Sequence, residues 1–230
     1  MVYSNGPSIV RDGLVLHLDA ADRNSYPRSG TSWGDLSGNG NNGTLTNGPT
    51  FSSNDRGSIV FDGTNDYIGI SHSSELSFSG DFTIESVIFP TANTANCIIQ
   101  KGSGNDFYQE YWLLNDMRNT SRHFSLIMGY SNNGGRTEAK TGNIAVLNKY
   151  HHVVAKVFSN TQYLYINGVL EASAGISTRI TGTSDLRIGW RIDGFAATNG
   201  RIPYAKIYNR ALSADEILQN YNATKGRFGL

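Results

Sequence analysis

Apolar and polar residues alternate with a period of two along most of this chain. Leu14, Leu16 and Leu18 alternate with Val15, His17 and Asp19, the pattern of a half-buried strand. Residues 58–62 and 66–71 read as two further strands joined by the turn Gly63-Thr64-Asn65. In 82–89 both faces are largely apolar, with Phe82, Ile84 and Ile88 on one and Val87 and Phe89 beside Glu85 on the other. Such a strand belongs in the middle of a sheet. Segments 96–101, 110–115, 123–130 and 150–158 follow. Segments 162–166 and 169–172 flank Asn167-Gly168, the dipeptide of a type I′ hairpin turn. Leu186, Ile188 and Trp190 alternate once more, and 201–209 forms a last strand.

The period then changes. Residues 213–221 read as a short helix, with Ser213 as N-cap and Glu216 completing a capping box. Leu212 and Ile217 form the hydrophobic staple, and Asp215 and Glu216 suit the positive end of the helix dipole. The connection 20–50 is mostly turn chemistry, with a short strand expected near residues 43–45 and Trp33, Leu36 and Leu45 pinning it to the body. Residues 130–142 read as a polar loop. About a dozen strands with frequent turns and one helix predict an all-β, two-sheet antiparallel sandwich with one short C-terminal helix. No linker or repeat interrupts it. The expected division is an N-terminal arm at 1–11, one domain at 12–222 and a tail at 223–230.

Three blocks, in order, carry a resemblance. They are SIVFDGTNDYIGI from Ser58, YHHVVAKVFSNTQYLYINGVL from Tyr150 and GRIPYAKIYNRALSADEILQNY from Gly200. Together they resemble the laminin G-like, concanavalin A-like jelly roll. A narrower likeness lies at the ends of the chain. DGLVLHLDAA from Asp12, DLSGNGNNGTLTNGPTF from Asp35 and NYNATKGRFGL at the C-terminus are similar to a group of tailed-bacteriophage virion proteins. The resemblance implies a jelly-roll sandwich in a non-enzymatic virion structural or decoration protein, on capsid or tail. The implied partners are other virion subunits, copies of the chain itself and a cell-surface polysaccharide. A free-standing carbohydrate-binding lectin is the alternative, and a degenerate glycoside hydrolase a third.

Composition narrows the chemistry. Charged residues make up only 17% of the 230, so the surface is Ser, Thr, Asn and Gly rather than Lys and Glu. The 19 basic and 19 acidic residues cancel, which speaks against a nucleic-acid partner. No apolar run approaches the ~20 residues that span a bilayer. The opening MVYSNGPSIVRDGL lacks a basic start and an apolar core, so synthesis in a cytosol without a signal peptide is expected. Cys97 lies in an apolar run and reads as a buried, inert thiol.

Hydrolases of this fold commonly carry Glu-x-Asp-x-Glu on one strand, and two carboxylates must flank the scissile bond. Here Glu75, Glu85, Glu110, Glu138, Glu171 and Glu216 each lack an acidic residue two positions away. Glu85 reads as a buried carboxylate paired with Arg or Tyr, and no catalytic residue is assigned. Asp62, Asn65 and Asp66 crowd a glycine turn. They are candidate Ca²⁺ ligands, against a reading in which they simply cap the turn. The resemblance supports calcium, yet relatives often have an acidic pair in the final strand where this chain has Pro203 and Tyr204. His151 and His152 are adjacent on a strand and point to opposite faces, so they cannot share a metal. No other cofactor is expected.

Aromatics are plentiful, and Tyr108, Tyr111, Trp112, Tyr130, Trp190 and Phe195 fall in or beside loops rich in polar groups. Sugar rings present apolar C–H faces to aromatics and hydroxyls to Asn, Asp and Arg. These six are therefore the candidate glycan-binding residues. At the C-terminus, Arg227, Phe228 and Leu230 are poor choices for a solvated tail. They are candidate docking residues for a partner subunit, with Val2, Tyr3 and Ile9 at the other end.

Overall fold

The computed structural model describes residues 7–54, 56–102, 108–118, 120, 122–130 and 135–230, the side chain of Tyr130 excepted. The first strands are β1 (Leu14–Asp19), β2 (Ser32–Trp33), β3 (Gly43–Thr46), β4 (Thr50–Ser52), β5 (Ser58–Asp62) and β6 (Tyr67–Ile70). Then come β7 (Phe82–Pro90), β8 (Ala95–Gly102), β9 (Gln109–Asp116), β10 (His123–Tyr130), β11 (Gly135–Lys140) and β12 (His151–Phe158). The chain closes with β13 (Thr161–Ile166), β14 (Val169–Gly175), β15 (Leu186–Gly189), β16 (Asn199–Ile202), β17 (Tyr204–Tyr208) and helix α1 (Ala214–Phe228).

These strands form two antiparallel sheets. One runs β14-β13-β12-β7-β16-β5-β4, with β17 also on β7 and β1 on β17. The other runs β11-β10-β9-β8-β15-β6-β3-β2. β7 is central, as its two apolar faces require. Phe82, Ile84 and Ile88 point into the core between the sheets, where they join Leu16, Leu18, Phe61, Leu113, Phe124 and Leu126. Asn167 and Gly168 both take positive φ, 52° and 82°, so the β13–β14 hairpin turns as its sequence demands. Trp33 is fully buried and Leu45 nearly so, which pins the long early connection to the body, while Leu36 is only partly covered.

Several elements differ from the sequence expectation; the expected last strand at 201–209 is broken at Pro203 into β16 and β17. The polar stretch 130–142 contains β11, which pairs along its length with β10. GRTEAK shows no apolar alternation because it is an edge strand, and its register comes from its neighbour. The helix begins as expected, with Ser213 accepting from the Glu216 amide and Glu216 accepting from the Ser213 amide. It does not stop at Tyr221. It runs to Phe228 and ends on Gly229 in the left-handed region, a C-cap glycine suits. Residues 223–230 are therefore helix and cap rather than a separate tail.

The helix lies on the outer face of the first sheet. Ile217 packs with Leu212, Tyr208 and Val154, and Phe228 with Val87 and Tyr204. Beneath it lies Glu85, fully buried on the outward face of β7. Its carboxylate accepts from Lys206 Nζ at 2.7 Å, Asn220 Nδ2 at 2.6 Å and Tyr204 Oη at 3.0 Å, with His152 Nε2 at 3.3 Å. Burial works to raise this carboxyl, but the Lys206 charge and the polar contacts outweigh it and hold Glu85 below the usual carboxylate range. The expected partner type, Tyr, is present; the cation is Lys rather than Arg.

Candidate functional site

Among the described residues, no helix lies on the outer face of the second sheet. Alternation along β9 sends Tyr111 and Leu113 into the core and Trp112 and Leu114 outward. After β15 the chain turns at Gly189, where φ is 97° and a β-carbon would collide with the Phe61 ring. Only glycine fits there. The segment that follows folds back over β8 and β9, held by Thr198 donating to the Cys97 carbonyl at 2.8 Å. Cys97 lies beneath it, and burial pushes its thiol up to about 12, which makes it inert.

This fold-back builds an arginine–aromatic stack. The Arg191 guanidinium lies 4.4 Å from the Trp112 ring and 5.1 Å from Phe195. Phe195 meets Trp112 edge-on at 6.2 Å, and Arg118 covers Phe195 at 4.8 Å. Each arginine is held by a carboxylate from its own strand or loop. Asp193 takes Arg191 at 2.7 Å. Asp116 takes Arg118 in a fork at 3.0 and 2.7 Å. Burial acts to raise the Asp116 carboxyl, but the Arg118 hydrogen bonds and charge prevail and hold it below its usual range. Trp112 and Arg191 are buried, whereas Phe195 is 53% exposed and stands up as a ridge.

On one side of the ridge is a cleft of about 110 Å³ lined by Trp112, Asp116, His123, Arg136 and Glu138. On the other is a shallower one of about 250 Å³, lined by Gly63, Asn93, Thr94 and Gly194. Arg118 and Phe195 border both. Aromatic edges, guanidinium donors and carboxylate acceptors thus share one open surface, a combination that can hold a polyhydroxylated ring.

Of the six expected glycan residues, the structure brings Trp112 and Phe195 together. Tyr111 is corrected to a core residue: it is buried, its hydroxyl donates to the Leu76 carbonyl at 2.8 Å, and it packs on Phe78 and Phe82. Trp190 joins a separate stack with Tyr67 at 5.5 Å, under Arg187. Tyr108 is half exposed and lines neither cleft. The Tyr130 side chain, and Val2, Tyr3 and Phe107, lie outside the described residues. Sequence reasoning missed Arg118, Arg191, Asp116, His123, Arg136 and Glu138. The only signal was the run of charged residues around Phe195.

At the candidate calcium turn, Asp66 Oδ2 accepts from the Asp62 amide at 3.1 Å and Asp62 Oδ1 from the Thr64 amide at 2.7 Å. The Asn65 carbonyl accepts from Asn47. Burial raises the Asp66 carboxyl, opposed by the hydrogen bond from the Asp62 amide and helped slightly by the Asp62 charge. One oxygen of each carboxylate caps the turn, and among the described residues no three acidic, His or Cys side chains gather as metal ligands would. This donor set does not fit Ca²⁺, which takes six to eight oxygens. EDTA is expected to leave the melting curve unchanged; a clear fall, reversed by added Ca²⁺, would restore the calcium reading.

Among the described residues, the expected docking residues have partners within their own domain. Arg227 forks onto Asp19 at 2.9 and 2.8 Å and donates to the carbonyls of Arg56 and Gly57. Phe228 is buried against Tyr150 and Tyr204, and Leu230 packs beside them. Ile9 packs near Val10, whose amide donates to Asn220. These groups are engaged by their own domain.

The profile of the concanavalin A-like lectin/glucanases superfamily, in its laminin G form, matches residues 62–218. The chain belongs to this superfamily. No curated protein matches this superfamily member in sequence. Its fold is similar to that of Trypanosoma rangeli sialidase, with a TM-score of 0.68 and 17% identity over 94% of this chain and 33% of the sialidase. The binding domain of Paraclostridial Mosquitocidal Protein 1 gives 0.68 and 19% over 92% of this chain and 52% of that one. Domain 4 of AbnA, a GH43 extracellular arabinanase from Geobacillus stearothermophilus solved with arabinotriose, gives 0.68 and 17% over 90% and 98%. The lectin/glucanase-type chain thus spans about a third of the sialidase and half of the toxin binding domain. At these identities the likeness is one of fold.

Proposed function

We propose that this is a non-enzymatic glycan-binding module whose site is the ridge and clefts around Trp112 and Phe195. The observation that carries the reading is the arginine–aromatic stack on the outer face of the second sheet, with the half-exposed Phe195 ring at its crest. Guanidinium–carboxylate pairs offer donors and acceptors side by side, and Phe195 offers an exposed ring. That one similar fold was solved with arabinotriose supports a sugar as ligand.

Catalysis is disfavoured by spacing. Asp116 lies opposite His123 on β10, and Glu138 opposite Ile127. Their backbones are therefore roughly 16 Å apart by strand geometry, whereas glycosidase carboxyls sit about 5–10 Å apart. Asp116 is engaged by Arg118, and Glu138 accepts from Ser125 at 2.6 Å. Glu85 is under the helix on the other sheet. No turnover of β-glucan, galactan or alginate is expected; reducing-sugar release abolished by Glu85→Gln would contradict this.

The finer setting we propose is a tailed-phage virion, supported by the terminal segments from Asp12 and Asn220 that are similar to such proteins. The module would then sit on capsid or tail among other virion subunits and meet surface polysaccharide. Peptides of this chain in the mass spectrum of purified particles would support that setting, and a free monomer absent from particles would favour the lectin. For the site itself, a glycan array followed by calorimetry is the test. Phe195→Ala is expected to weaken binding about tenfold, ~1.4 kcal/mol, with an unchanged melting temperature because the ring is largely exposed. Full affinity in that variant would place binding elsewhere.

A further inference from the structure

We infer that the site takes an internal segment of an uncharged polysaccharide, in two subsites on either side of the Phe195–Arg118 ridge. This rests on the glycan-binding reading above and adds the ligand's charge, its minimum length and its path.

The geometry argues for length. Two clefts, about 110 and 250 Å³, share Phe195 and Arg118 as a common wall. Both open to solvent. A ligand confined to one end would use one cleft and leave the ridge's other flank bare. A chain crossing the ridge places one ring against the exposed face or edge of Phe195 and its neighbours in the two clefts. Open sides let that chain enter and leave, so no terminal sugar is required.

The charges argue for a neutral ligand. Arg118 is neutralised by Asp116 and Arg191 by Asp193. Arg136 shares the smaller cleft with Glu138. An anionic sugar placed there would meet the carboxylates of Asp116 and Glu138, while the guanidinium groups of Arg118 and Arg191 already have carboxylate partners. The larger cleft adds only uncharged groups, among them Asn93 and Thr94, to the shared Arg118. Hydroxyls need donors and acceptors together, and paired guanidinium–carboxylate groups present both.

The test is calorimetry with linear arabino-, malto- and cello-oligosaccharides of increasing length, from a single unit to a hexamer. Sialyllactose and oligogalacturonate serve as charged comparators. At least one neutral series is expected to gain about tenfold or more in affinity between one and four units and then level off, with the charged comparators weaker. Asn93→Trp, which fills part of the larger cleft at an exposed position, is expected to shrink the gain in affinity between the short and the long ligand. Phe195→Trp keeps a ring on the ridge and should retain the length dependence. Affinity independent of length, or a preference for the charged sugars, overturns this inference and leaves glycan binding standing. Binding to none of the series, in a folded protein, overturns both.

Discussion

Replacing Glu85 by alanine is expected to lower stability by about 3–5 kcal/mol, since it strands a buried Lys206 ammonium without its counter-charge. At this chain length that is a fall in melting temperature of roughly 6–20 °C. The loss reaches beyond one pair. Asn220 donates to Glu85 and to Tyr208 Oη and accepts from the Val10 amide, so the carboxylate ties helix, last strand and N-terminal segment together. Glu85→Gln combined with Lys206→Met should lose less than Glu85→Ala alone, because no ion is then left unpaired. Thermal unfolding checks both; an unchanged melting temperature for Glu85→Ala would show that the network does not hold the helix.

The same cluster sets the acid limb. A carboxyl depressed in the folded state contributes stability that is complete above the ordinary Glu value of ~4.3 and is lost as pH falls below it. His17 on β1, opposite Lys206 on β17, acts earlier. Burial first, and then the Lys206 charge, lower its imidazole from 6.5 to about 4. The unfolded chain therefore binds the proton between these values and the folded one does not. Stability from this source is complete above pH 6.5 and fades as pH drops towards 4. A melting temperature that stays flat from pH 7 to 4 in the native protein would contradict it.

Phe228→Ala should cost a further about 3–5 kcal/mol, the usual range for emptying a buried aromatic site. Its ring fills the space between Tyr150 and Tyr204, and next to it Arg227 closes the helix onto Asp19. Deleting residues 225–230 should lower the melting temperature and leave the solution mass of the remaining chain's assembly unchanged. The reverse outcome, normal melting with a changed assembly mass or lost particle incorporation, would return these residues to a partner.

How far the site could be read from residues alone is clearest at Tyr111 and Trp112. Alternation says that they face opposite sides. It does not say which side is the core, because both are large aromatics on a strand apolar on both faces. The structure decides by placing Phe78 and Phe82 against Tyr111 and the fold-back segment against Trp112. Arg118 and Asp116 are close in sequence, yet nothing local shows that Phe195, from a distant loop, lies on that pair.

What the sequence by itself determined is what neighbours along the chain can settle. Period-two alternation marked the central strand at Phe82, and Asn167-Gly168 marked the β13–β14 hairpin. Ser213 with Glu216 marked the helix start, because a cap is made within one turn. The helix end was not local in that sense. Residues 222–227 are mostly polar and contain Gly226, and they stay helical because Arg227 and the following Phe228 find partners on β17, β1 and the turn before β5. The edge strand β11 likewise takes its form from the hydrogen bonds of β10. Glu85 acquired its ionic partners only when β17 paired with β7 and the helix settled over them, and Trp112 its cover of Arg191 and Phe195 only when the segment after β15 folded back. Such contacts join segments far apart in the chain, and their energies come from burial and pairing that no local pattern carries.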